Sequence, residues 1–250
     1  MAVQITDVYK IDGQWAINVD FNRQEYRICW TGNWRQQPDT TNFPRLPESD
    51  VSVTPVQHDP QLQELWAKST AICYGADSHL RILDQPDGYP VCKVAVTRQQ
   101  RRMIEDEFHI LQFLSAKGAP VVSVDPQPLV DSEGMFGFRM EQLFKIELGD
   151  LRNRQDDILK AMAELHKNHV VHNDFHPGNI LSRSDGSLVI IDFGRSGYVG
   201  HKIPDEKRSP QWTAPTFAFD ADHMVFKFLN LCKTPNSQYG AISHLRKPMR

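Results

Sequence analysis

No stretch of this 250-residue chain limits its possible folds more than His172-Asn173-Asp174-Phe175-His176-Pro177-Gly178-Asn179-Ile180-Leu181, followed by Asp192-Phe193-Gly194. Two carboxylates and an amide stand in a fixed order, separated by a turn and a short hairpin. Leu188-Val189-Ile190-Ile191 is an apolar run after the Asp185-Gly186 turn and reads as a buried strand delivering Asp192. Such an arrangement suits a metal-bound nucleoside triphosphate and a hydroxyl oriented for attack. Asp174 would be the catalytic base or hydroxyl-orienting group, and Asn179 and Asp192 the oxygen ligands of Mg2+, which keeps its other positions for water and phosphate.

The order H-x-D-x-x-x-x-N and then D-F-G resembles the catalytic loop and metal-binding motif of the protein-kinase superfamily. That resemblance implies an α+β, two-lobed protein-kinase-like fold and an ATP- and Mg2+-dependent phosphotransferase. The γ-phosphate would pass to a hydroxyl of a protein serine or threonine or of a small molecule. Upstream, Tyr89 to Val96 is a β-rich run with Lys93 in its middle. A lysine inside a strand is costly unless its ammonium meets anions, so a phosphate-facing role competes with that of a solvent-facing edge residue. Arg101 to Leu114 follows, with Ile104, Phe108, Leu111 and Leu114 at helical spacing. The resemblance pairs Lys93 with Glu107 rather than Glu105 or Asp106, because an Ile-Leu pair follows Glu107 at the family's spacing. The plainer alternative makes all three acids a solvated face.

By the same resemblance Met140 is the gatekeeper and Glu141 to Leu143 the hinge that bonds adenine through its backbone. Glu147 is the ribose-binding acid; Ile82, Val91 and Leu181 sandwich the base; Leu111, His172 and Phe193 stack between the lobes. An ordinary surface role for Glu147 and core roles for the six apolar or ring residues are equally compatible with the chain. The nucleotide-covering loop should read G-x-G-x-x-G-x-V, but the matching segment is Gly75-Ala76-Asp77-Ser78-His79-Leu80-Arg81-Ile82. Only Gly75 survives, and fewer glycines mean poorer approach of backbone amides to phosphate. Ser78 and His79 are the candidate replacement donors, and Asp77 adds an opposing charge.

Further departures bear on substrate and regulation. Asn173 replaces the arginine that usually precedes the catalytic aspartate, so a switch by loop phosphorylation is not expected. His176 makes the loop similar to that of aminoglycoside phosphotransferases; it would donate to a phosphoryl oxygen, shuttle a proton, or simply pack the loop. Arg195 to Pro210 reads as a polar loop. Gln211-Trp212-Thr213-Ala214-Pro215-Thr216 resembles the W-x-A-P-E element, with Thr216 in place of its glutamate. Phe217 to Leu231 would be the central helix of a shortened large lobe, with Asp220 or Asp222 bracing the catalytic loop. A pseudokinase or scaffold, motivated by the degenerate nucleotide loop, is the competing function.

A net charge of -3 gives no electrostatic case for nucleic acid or an anionic membrane surface, and 40% hydrophobic residues suit a soluble globular protein. No apolar run is long enough to span a bilayer, and the N-terminus lacks a signal peptide's basic and apolar regions, so a cytoplasmic protein is expected. Cys29, Cys73, Cys92 and Cys232 lack metal-ligand spacing and are expected as free thiols. The expected domains are a β-rich extension and linker (1–60), a small lobe (61–143) and a truncated large lobe (144–250). Val3 to Val8, Gln14 to Asp20 and Glu25 to Trp30 alternate like a small antiparallel meander, with Trp15, Trp30 and Trp34 as its core or, less simply, a recognition surface. Gln36 to Pro60, rich in proline, threonine and acids, reads as a linker. The extension would be an added sheet, a lid or a site for a protein partner.

Overall fold

The computed structural model describes residues 4–46, 50–75, 77–85, 88–208 and 214–222. It is an α+β chain of two compact units, residues 1–108 with 123–142, and residues 109–122 with 143–250.

In the first unit, β1 (Gln4–Ile11), β2 (Gln14–Phe21) and β3 (Gln24–Trp30) form the antiparallel meander. Its two-residue turns, Asp12-Gly13 and Asn22-Arg23, all take positive φ, as tight hairpins that match strand twist demand. The expected linker is instead folded. It contributes β4 (Val51–Pro55), which sets Val51 and Val53 opposite Trp30 and Ile28, and it inserts Phe43 against Ile17, Val19, Ile28 and Trp30. Prolines and polar residues hide a short alternating strand and one aromatic anchor, and burial of that apolar surface outweighs their weak local preference. Trp15 packs on this core, whereas Trp34 does not join it and lies in a 3₁₀ turn under Arg35.

Helix α1 (Pro60–Ala67) begins at Asp59, whose carboxylate accepts from the Gln61 N–H, with Pro60 in the first turn. Leu62 and Trp66, one turn apart, are buried against Cys92, Val94 and Phe136. Next come β5 (Ser69–Tyr74), β6 (His79–Leu83), β7 (Val91–Val94), helix α2 (Arg98–Ala116), β8 (Leu129–Asp131) and β9 (Gly134–Met140). The five strands form one antiparallel sheet in the order β5-β6-β7-β9-β8. A capping box starts α2: Thr97 Oγ1 accepts from the Gln100 N–H, and Gln100 Oε1 accepts from the N–H groups of Val96 and Thr97. The division between units falls within this helix, after Phe108. Gly137 is required where β9 meets β7, since a Cβ there would lie 2.6 Å from the Lys93 carbonyl oxygen.

The second unit holds β10 (Phe144–Lys145), α3 (Leu148–Asn153), α4 (Gln155–Lys167), β11 (Val170–Val171), β12 (Ile180–Ser182), β13 (Leu188–Ile190) and β14 (Gly197–Tyr198). Ile158, Ala161, Met162 and Leu165 form the buried stripe of α4, while Leu159 is exposed. The helix stops because Asn168 caps it and His169 turns left-handed at φ 57, which releases Val170 and Val171 as a strand paired with β14. Thr216 pairs with Lys202, and Pro215 and Phe217 exchange backbone hydrogen bonds with His201 and Ile203. Backbone pairing thus holds a segment that the missing glutamate cannot anchor. Trp212, Thr213, most of the expected helix from Phe217 to Leu231, and Cys232 lie outside the described residues. Among the described residues, no helix is long and apolar enough to cross a membrane.

Candidate active site

In the first unit, Lys93 lies in the middle of β7 and its Nζ sits 2.9 and 2.7 Å from the two carboxylate oxygens of Glu107 on α2. Both side chains are buried, whereas Glu105 and Asp106 are exposed. Burial of a charged pair costs desolvation, and removing one partner would strand the other at a cost of about 3–5 kcal/mol. Leu80 and Phe138 stand opposite Lys93 on the neighbouring strands, and Phe138 meets Phe108 of α2 at 5.7 Å between ring centroids. One step along, Ile82, Val91 and Met140 make a cross-strand apolar row on the same face, because directly paired residues project together. The Glu141 N–H donates to the Ser123 carbonyl and its Oε1 accepts from the Ser123 N–H, so any base reading at Glu141 falls to its carbonyl.

In the segment expected to cover a nucleotide, Gly75 and Ser78 are drawn together. The Gly75 N–H donates to the Ser78 carbonyl at 2.9 Å, and Tyr74 pairs with His79 across it. His79 is not a phosphate donor here: it is buried, packed on Tyr74 and Trp66. Burial, the largest influence, pushes its pKa down to about 4, so the ring is neutral. Strand alternation turns His79 away from the turn, which a sequence alignment by spacing alone misses.

In the second unit, the Asp222 carboxylate is fully buried and accepts from the backbone N–H groups of His172 (2.9 Å) and Asn173 (2.8 Å). His166 Nε2 lies 3.0 Å from the same carboxylate. Of the two expected braces, Asp222 makes these bonds. The His172 ring contacts Phe175 and Phe193 and places Nε2 2.8 Å from the Ile191 carbonyl, which assigns its proton to Nε2. Asn173, at φ 64, turns the chain so that Asp174 follows.

Asn179 is buried; its Nδ2 donates to the Asp174 carbonyl at 3.0 Å, and its own carbonyl accepts from the Ile191 N–H. Those two bonds bind the turn carrying Asp174 to the hairpin carrying Asp192. With its amide nitrogen engaged, Asn179 presents Oδ1 as an acceptor. Asp192 sits in the left-handed region (φ 66, ψ 63), and its side chain does not cap the turn that follows. Neutral amide and carboxylate oxygens of this kind fit a hard cation such as Mg2+. Among the described residues, no cluster of three His, Cys, Asp or Glu side chains suits a metal. His176 Nδ1 accepts from the Gly178 N–H at 3.0 Å, which leaves the ring proton on Nε2. Burial lowers its pKa most, the Asp174 charge opposes this, His172 lowers it further and Asp192 opposes again. Glu147 is exposed, with Lys145 3.5 Å away, and Leu181 lies on β12 opposite Lys145 and Val189.

Asn173 Nδ2 donates to the carbonyls of Arg195 (3.2 Å) and Lys207 (3.0 Å). The buried Lys207 ammonium donates to the Ser196 carbonyl, and Arg195 to that of Arg208. The segment after Gly194 is therefore fastened at both ends by side chains that reach carbonyl oxygens. Lys207 carried no sequence signal, being one basic residue in a polar loop.

Residues 131–224 match the protein kinase domain family. Serine/threonine-protein kinase PAK 5 of Rattus norvegicus is 38% identical over 61 residues, 23% of this chain and 8% of that protein. Serine/threonine-protein kinase OXI1 of Arabidopsis thaliana is 24% identical over 121 residues, 48% of this chain and 28% of that protein. Germinal center kinase 3 of Caenorhabditis elegans is 35% identical over 68 residues, 24% of this chain and 11% of that protein. The chain thus spans well under two thirds of these relatives' length. These matches make residues 131–224, the catalytic loop among them, similar to the protein-kinase-like superfamily.

Proposed function

We propose that the chain is an ATP- and Mg2+-dependent phosphotransferase that moves the γ-phosphate to a hydroxyl group. The observation that carries this reading is the hydrogen-bonded turn from His172 to Asn179, which Asp222 braces and Asn179 ties to the hairpin of Asp192. When bound, Mg2+ supplies neutralisation of charge on the phosphate oxygens. Asn179 Oδ1 and the Asp192 carboxylate hold it. Asp174 orients the acceptor hydroxyl and receives its proton; Lys93, held by Glu107, binds phosphate oxygens; His176 Nε2–H donates to a phosphoryl oxygen. Ile82, Val91 and Leu181 hold the base, Met140 and the backbone of Glu141 to Leu143 read its edge, Gly75 and Ser78 cover the phosphates, and Glu147 meets the ribose. The serine/threonine kinases among the relatives favour a protein hydroxyl as acceptor, and His176 favours a small-molecule one. We assign residues 61–143 to a small lobe, 144–250 to a shortened large lobe and 1–60 to an extension, and the reaction to the cytoplasm, where ATP is supplied.

Calorimetry of ATP binding with and without Mg2+ tests the reading. Asp192→Asn is expected to abolish the Mg2+-dependent part, and Asp174→Asn to keep binding while lowering turnover about a thousandfold. Wild-type turnover in either variant would remove the role assigned to it. One observation favours a scaffold instead: the Gly75–Ser78 segment has a single glycine with which to approach phosphate. Absence of binding at millimolar nucleotide would establish that alternative.

A further inference from the structure

Arg81 is charged, lies in the middle of a strand and has no exposed surface. A guanidinium is tolerated in such a place only when its donors are matched. Here Nε donates to Ser69 Oγ (2.7 Å), Nη1 to Asp20 Oδ2 (2.7 Å) and Tyr74 Oη (3.2 Å), and Nη2 to the carbonyls of Ser69 (3.1 Å) and Trp66 (3.4 Å). The guanidinium also stacks 4.0 Å from the Trp66 ring centroid. Asp20, on β2, accepts a second bond from Tyr74 Oη at 2.6 Å. One carboxylate of the N-terminal sheet therefore binds the two side chains that anchor β5 and β6.

The position of those anchors matters. Tyr74 immediately precedes Gly75, and His79, which packs on Tyr74 at 5.0 Å, immediately follows Ser78. Both feet of the turn are thus attached to the cluster around Asp20. The grip is repeated at the far end of β6, where Arg23 of the β2–β3 turn pairs with Asp84 and donates to the Ala67 carbonyl. The strand so held is the one that sets Leu80 opposite Lys93. Asn18, Asp20 and Glu25, on the polar face of the N-terminal sheet, are all buried, so this sheet is packed on both faces.

We propose that the N-terminal sheet is a built-in clamp on the nucleotide-covering turn, with Asp20 as the positioning residue that holds Gly75–Ser78, through Tyr74 and Arg81, over the phosphates of a bound nucleoside triphosphate. The proposal rests on the phosphotransferase reading. A glycine-rich loop adapts to phosphate but loses conformational entropy when it closes; a short turn held from behind has less to lose. The clamp offsets the glycines this chain lacks.

The test measures Mg-ATP dissociation constants by calorimetry, and amide hydrogen exchange over Tyr74–His79, on the full chain and its variants. Asp20→Asn is nearly isosteric, and Tyr74→Phe removes one hydroxyl. Each is expected to speed exchange at the turn and weaken binding about fivefold, with the double variant no worse than the weaker-binding single variant, since both break one linkage. If Asp20→Asn does not fold, Tyr74→Phe alone decides by the same two readings. Faster exchange with unchanged affinity would overturn the clamp and leave a purely structural contact, and unchanged exchange would overturn it as well. A wild-type protein that binds no Mg-ATP would bring down the phosphotransferase reading and the clamp together, whereas wild-type binding unaltered by the substitutions brings down the clamp alone.

Discussion

At His176 the neutral ring is the form that fits, because Nδ1 accepts the Gly178 N–H and a protonated ring has no acceptor to offer. Burial outweighs the pull of Asp174 and Asp192, so its folded pKa lies below the ordinary value of 6.5. The sign follows from linkage: below 6.5 the unfolded chain takes up a proton that the folded ring resists, so stability present above that pH is lost as pH falls toward the folded value. Asn at 176 keeps an acceptor for Gly178 without titrating. Urea unfolding at pH 7.5 and at pH 5 is therefore expected to show a larger acid loss for wild type than for His176→Asn, and equal slopes would exclude this role for the ring. The choice of Glu107 among three adjacent acids was legible for a related local reason: it falls in the stripe of Ile104, Phe108, Leu111 and Leu114 that α2 buries. The choice of Asp222 over Asp220 was not, because neighbouring acids in a 3₁₀ turn differ only in which way the turn faces.

Between elements, Gly197 on β14 lies close against the Phe217 ring. A Cβ at 197 would lie 2.2 Å from the Phe217 ring, and that ring is held among Val171, Ile203 and Ala221. Gly197→Ala is expected to cost about 2 kcal/mol in urea unfolding, with partial recovery in Gly197→Ala/Phe217→Leu. A loss under a few tenths of a kcal/mol would mean the ring has room to move. The N-terminal strands and α2 were visible in period-2 and helical patterns, because their turns and apolar stripes are local signals. Strand β4 and helix α1 were not read, although Asp59-Pro60 followed by Leu62 and Trp66 is a usable helix start. The segment holding β4 has a linker's composition, and the apolar partners supplied by β3, and for α1 by the five-stranded sheet, make these elements worth folding.

At the scale of the whole molecule, the segment after Gly194 is fastened by an amide and two cations that reach carbonyl oxygens, with no phosphate required. Phosphatase treatment is expected to leave Mg-ATP binding and turnover unchanged, while Asn173→Ala makes residues 195–208 easier for a protease to cut; loss of activity on dephosphorylation would instead reveal a charged switch. The sequence by itself determined the likeness to the protein-kinase superfamily and the order of the chemical groups, because Asp174, Asn179 and Asp192 are confined to one loop and one hairpin whose spacing is local. Only the tertiary structure decided that Asp20 meets Arg81 and Tyr74, that His79 is packed away, and that Asp222 braces His172 and Asn173. Those pairings join residues far apart in the chain. A buried charge finds its partner through packing and the cost of leaving it unpaired, and neither leaves a periodic trace in the sequence.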